Sequence, residues 1–156
     1  MFLKIVVAFL FSLTVYAQQN EKPYPFMSES EIWLNNYRNL KSDSERLVEI
    51  KKKIVLDTLY YNYKDRLILD NPRNPEKHIC KTLFYLKHDK DFIDLDLLEN
   101  PKLINFIKNL KLKNIETIEL LENTKNAIYF GSNGMCGVII LECSEKFMTK
   151  FQKKIK

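Results

Sequence analysis

The residues in this chain best suited to nucleophilic, redox or metal chemistry are Cys80, Cys136, Cys143, His78 and His88. A structural zinc ion takes four Cys or His ligands, usually as two spaced pairs. His78 and Cys80 make one pair and the sequence offers no second, so no metal site is expected. A Cys–His nucleophile needs thiol and imidazole within hydrogen-bond reach, and no local context in the sequence supports one. Asp89, Asp91, Asp94, Asp96 and Glu99 invite a calcium reading, but they lack the turn glycine and ligand spacing of an EF-hand loop. A solvated acidic loop between a strand and a helix is expected there instead. Gly131, Gly134 and Gly137 are the three glycines of the chain, gathered in one short loop. A glycine loop cradles phosphate when a helix follows and its amides converge. Here an apolar run follows, Val138-Ile-Ile-Leu141, which reads as a strand. The glycines are therefore expected to build a structural turn. No catalytic, cofactor-binding or metal-ligating residue is assigned.

The cysteines admit several arrangements. An odd number in an oxidising compartment allows one disulfide with a free thiol, or none. Cys136 and Cys143 flank the strand read over 138–141. Extended chain of that length separates them by ~20 Å, whereas a disulfide needs Cα atoms within ~7 Å. Any bridge would then join Cys80 to Cys136 or to Cys143. Three buried thiols fit the sequence equally well, because free Cys behaves as a small hydrophobe.

The elements that must hold these residues follow from pattern. Ser28 and Glu31 have the spacing of a capping box, and Trp33, Tyr37 and Leu40 recur at helical intervals. Ser42 and Glu45 repeat the start signal, with Leu47, Ile50 and Ile54 along one face of a second helix. Together they predict a helical hairpin. Residues 59–63 and 66–69 read as two short strands, unless the second helix runs on through Tyr61. Pro72 and Pro75 break the chain, and a boundary is placed there. Residues 82–87 form an aromatic and apolar strand. Asn100 and Pro101 open a helix, Asn as cap and Pro where no donor is needed. Leu103, Phe106, Ile107 and Leu110 make its apolar stripe. Residues 115–121 suit a strand buried on part of both faces, and 138–141 a central strand. Strand, helix, strand, turn, strand is a mixed α/β layer.

The ends differ in character. Lys4 followed by the apolar run 5–16 and Val15-Tyr16-Ala17 reads as a signal peptide over 1–17, cut after Ala17. That run falls short of the ~20 residues that span a bilayer. Residues 18–27, with Pro23 and Pro25, read as a flexible leader. Residues 146–156 form a basic tail. Phe147, Phe151 and Ile155 fall at i, i+4 and i+8, opposite Lys150, Lys153, Lys154 and Lys156. A packed or frayed terminal helix is the first reading, and peripheral membrane contact the second. The net charge of +5 over 156 residues is mild, and nucleic acid is not expected as a partner.

Residues 115–143 resemble the closing segment of the plug domain of TonB-dependent outer-membrane receptors. There a strand of the type I-E-x-I-E-V-L leads, through a short polar turn, to G-S-x-G-x-x-G-V-I and a last apolar strand. The matching residues are Ile115, Glu116, Ile118, Glu119, Leu121, Ala127, Gly131, Ser132, Gly134, Gly137, Val138 and Ile139. Met135 and Cys136 stand where the pattern carries Ala-Asn, and Asn133 where it often carries Arg. An α+β or mixed α/β fold is expected: the N-terminal helical segment (28–75) read from pattern, then, as the resemblance implies, a plug-like domain (76–145) with a short mixed sheet and one or two helices. The resemblance also implies an exported envelope protein, periplasmic or associated with the outer membrane, that works as a non-enzymatic binding module without a barrel. The expected partner is an envelope protein, and no cofactor is expected. A remnant of a receptor and a small secreted enzyme or toxin are the alternatives.

Overall fold

The structure, a computed structural model, describes residues 26–60, 79–121 and 129–155, apart from the side chains of Ser132, Asn133, Lys154 and Ile155. The expected signal peptide, the leader up to residue 25, the strand readings within 61–69, the break at Pro72 and Pro75, His78 and Ala127 lie outside the described residues, while the last two leader residues are the N-cap and first residue of a helix.

The fold is α+β. Among the described residues it comprises α1 (Met27–Arg38), α2 (Asp43–Leu56), β1 (Leu83–His88), β2 (Asp91–Asp94), α3 (Ile104–Asn109), β3 (Ile115–Leu121), β4 (Val138–Cys143) and α4 (Glu145–Ile155). The strands form one mixed sheet in the order β2-β1-β4-β3. β1 and β4 are the central, parallel pair, while β2 and β3 join the edges antiparallel. This explains why 138–141 reads as continuous apolar sequence. A central strand alternates side chains between two faces, and here both are covered. Ile139, Leu141 and Cys143 point into the main core, and Val138 and Ile140 into a smaller cluster on the other face. β1 divides likewise, with Phe84 and Leu86 on the main face and Leu83 on the other.

The main core also takes Tyr37 from α1, Leu47, Ile50 and Ile54 from α2, Ile107 from α3, and Met148 and Phe151 from α4. The helical segment and the sheet therefore close over one core. The Ser42–Glu45 capping box forms as expected: the Ser42 side chain accepts from the Glu45 amide, and Glu45 accepts from the Ser42 amide at 3.1 Å.

Several expectations are corrected. α1 begins at Met27, and its N-cap Phe26 offers no side-chain bond. Ser28 and Glu31 form no capping box; Ser30 is instead buried and donates to the Cys80 carbonyl at 3.0 Å. α2 does not run through Tyr61 but ends at Leu56, followed by a 3-10 turn over Asp57–Leu59. Asn100 makes no side-chain cap, and a 3-10 turn over Pro101–Leu103 leads into α3. The acidic stretch is not a plain solvated loop, since Asp91–Asp94 forms β2 and pairs with β1. The two residues between these strands include Asp89 at φ 50°. Two-residue hairpin loops favour such positive φ, which Asp tolerates better than most. The C-terminal tail agrees with its first reading: it is a helix packed on the core through Met148 and Phe151.

Candidate functional site

The residues with chemical potential are placed one by one. Cys80 and Cys136 are disulfide-bonded, with Cα atoms 5.8 Å apart, and Cys143 is free and buried. The bridge ties the approach to β1 to the glycine turn before β4. Around it, Thr82 Oγ1 donates to the Cys136 carbonyl at 3.0 Å and the Leu83 amide to the Gly137 carbonyl at 3.0 Å. Gly131 and Gly137 have φ of 62° and 83°, where a side chain is strained. Gly137 is crowded as well: a Cβ there would lie 3.0 Å from Leu34 Cδ1 of α1. Gly134 sits inside the 3-10 turn Gly131–Cys136, its carbonyl accepting from the Gly137 amide at 3.1 Å. The three glycines thus shape the passage from turn to strand and admit α1 against it.

Cys143 and His88 do meet, but through the backbone. His88 Nδ1 donates to the Cys143 carbonyl at 2.9 Å. Burial pushes the Cys143 thiol up to about 11, with Glu116 and Glu142 adding to the shift. A nucleophilic cysteine needs the opposite shift, because the thiolate is the reactive form. Among the described residues, no group of three or more His, Cys, Asp or Glu is arranged to hold a metal ion.

A charged cluster that pattern reading missed lies where α2 meets the start of β1. Lys53 Nζ donates to Asp57 Oδ1 at 2.5 Å, with both side chains under a tenth exposed. Beside this pair, Lys81 donates to Asp96, and those side chains are equally buried. Asp57 stands at the C-cap of α2, against the helix dipole. Burial pushes its carboxyl up, and Lys53 pulls it down in part. Helical periodicity marks Lys53 as an i+3 neighbour of Ile50. Only the arrival of Asp96 from beyond β2 explains why Lys81 is buried as well. These charges are matched and enclosed, and the cleft beside them is about 10 Å³. It has no room for a substrate.

A groove of about 740 Å³ lies between α3 with its flanking turns and α4. Lys102, Lys111 and Lys113 rim one wall, and Lys146 and Lys150 the other. All five are exposed, no carboxylate lines the groove, and none of the five has an ion-pair partner among the described residues. Phe106, Phe147, Phe151 and Leu110 are its apolar lining. The Phe106 ring lies 3.9 Å from Phe151 and 5.7 Å from Phe147 between centroids, tilted 39° and 37°. α3 brings Phe106 because its stripe places Leu103 and Ile107 in the core, leaving Phe106 at the margin. α4 brings Phe147 in the same way beside Met148 and Phe151. The groove was legible in part: the Phe147–Phe151 stripe is in the sequence, but its closure against α3 is a tertiary event.

A smaller apolar hollow on the other sheet face is lined by Phe92, Leu121, Tyr129, Phe130 and Ile140. No helix among the described residues is long and apolar enough to cross a membrane. Comparison with protein-family models, with curated proteins and with solved structures finds no match for the chain.

Proposed function

We propose that this chain is a non-enzymatic, exported binding module of the cell envelope, built as a plug-like domain, and that the α3–α4 groove is its contact surface. The observation that carries the reading is the groove itself. It is wide enough for a ligand, and among the described residues it exposes five lysines with no carboxylate in its lining. Unmatched charge of one sign in a concave site attracts a partner of the other sign. Among the described residues the cysteines and the histidine are engaged elsewhere: Cys80 with Cys136, the His88 ring on a carbonyl, the Cys143 thiol in the core.

Export and the plug-like character have separate support. The Cys80–Cys136 bridge suits an oxidising compartment. The residues matched at 115–121 and 131–139 fall on an edge strand, a glycine turn and the central strand beside it. Fold resemblance does not fix function, so the test is direct. A photo-crosslinking residue at Asn109, in the groove, should capture an envelope protein, whereas one at Glu119, on β3, should not. Turnover in a broad hydrolase, transferase and redox screen, abolished by substituting His78, His88 or Cys143, would overturn the reading.

A further inference from the structure

We infer that the α3–α4 groove takes an extended acidic polypeptide segment carrying one bulky apolar side chain. This rests on the binding-module reading and specifies its ligand. Lysine presents a compact point charge on a flexible stem, suited to carboxylates spread along a chain. Five lysines on two facing walls call for several separated negative groups. The base of the groove calls for something else. Phe106 and Phe147, both half-buried, offer apolar surface that a side chain can cover, and a bulky one placed there contributes affinity. Asn105 and Asn114 also line the groove, and their amides can both donate and accept along a main chain.

Three other anionic partners fit less well. Nucleobases stack on open, flat aromatic faces. Here Phe106 is tilted against both neighbouring rings and packs on Phe151. A bilayer is met by a helix that inserts its apolar face, yet the apolar face of α4 already lies on the core through Met148 and Phe151. A single phosphate would leave most of the rim lysines unmatched.

The experiment is fluorescence anisotropy on the full chain with a fluorescein-labelled peptide of glutamates flanking one phenylalanine. Parallel arms use the same peptide with glycine for phenylalanine, inorganic polyphosphate, and phosphatidylglycerol vesicles. The phenylalanine peptide should bind, and the glycine peptide should bind about tenfold more weakly, about 1.4 kcal/mol. Binding should weaken with added salt. Lys146→Glu with Lys150→Glu should lower affinity tenfold or more, and Lys102→Glu with Lys113→Glu on the opposite wall should do the same, at unchanged melting temperature. Equal binding of the two peptides would overturn the inference, as would indifference to both charge reversals. Tight binding of polyphosphate or vesicles without the peptide would also overturn it while leaving the binding-module reading standing. Peptide binding that persists in both double variants would remove the groove from both.

Discussion

Lys53 and Lys81 are buried, each on a carboxylate, whereas Lys102, Lys111, Lys113, Lys146 and Lys150 stand exposed around a groove that holds none among the described residues. The same side chain does opposite work in the two regions. In the first, two cations and two anions are shut away together, and their value lies in not being left alone. Removing one partner of a buried pair costs far more than the pair contributes. In the second, the charges are solvated and cost little to keep. They add nothing to the core and are available to a partner. The first region lies enclosed where the end of α2 meets the approach to β1, and the second faces outward.

The widest separation between the regions should appear in stability. Lys53→Met leaves Asp57 buried and unpaired, and should destabilise by about 3–5 kcal/mol. Lys150→Met should stay within about 0.5 kcal/mol. Urea denaturation of the two variants is the check, and equal losses would erase the distinction.

The disulfide extends the rigid side of the comparison. Cys80 and Cys136 lie 56 residues apart in sequence. Closing a loop of that length restricts the unfolded chain by about 4 kcal/mol in the entropic model. Reduction, or Cys80→Ser with Cys136→Ser, should lower stability by about 2–4 kcal/mol. The groove should keep its affinity in whatever fraction remains folded, as read by anisotropy at a temperature below the lowered melting point.

Legibility divides along the same line. β4, the Ser42 capping box and the Leu47, Ile50 and Ile54 face follow from local rules, and each is present. The Ser28–Glu31 capping box was misread because Ser30, within it, has a tertiary partner in the Cys80 carbonyl. β2 was missed because Asp91 and Asp94 argue against a strand by propensity. Pairing with β1 and the tolerance of Asp89 for positive φ override that. The buried Lys81–Asp96 pair joins residues 15 apart across a hairpin, which no helix or strand period encodes. The groove was half legible, since α4 announces its Phe stripe but not the wall that faces it.

Gly137 is one point where α1 meets the sheet, and it sharpens the comparison next. Gly137→Val places a branched side chain at φ 83° and 3.0 Å from Leu34. Strain at such positions costs about 1–3 kcal/mol. Gly131→Ala meets the same sign of φ but no atom within 4 Å, so it should cost less. Thermal melts of both variants give the order, and a reversed order would remove α1 from the argument.

Alkaline pH should loosen the core. Cys143 is raised from 9.0 to about 11 and Tyr37 from 10.0 to about 12, each chiefly by burial. Both are acids whose folded-state value exceeds the unfolded one. The unfolded chain gives up these protons first, so ionisation favours unfolding. Their contribution is whole below pH 9 and is lost as the pH rises through 9 to 12. Melting temperature should therefore fall across that window, and Cys143→Ala should flatten its lower part. A melting temperature that rose through the window would contradict this sign.

An NMR titration of the isotopically labelled chain with the glutamate–phenylalanine peptide compares both regions at once. Amide shifts should concentrate at 102–114 and 144–151, and the amides of Lys53, Asp57, Lys81 and Asp96 should stay unmoved. Shifts centred on the buried cluster, or on the sheet face at Phe92 and Tyr129 with the groove silent, would contradict the assignment of binding to the lysine-rimmed groove.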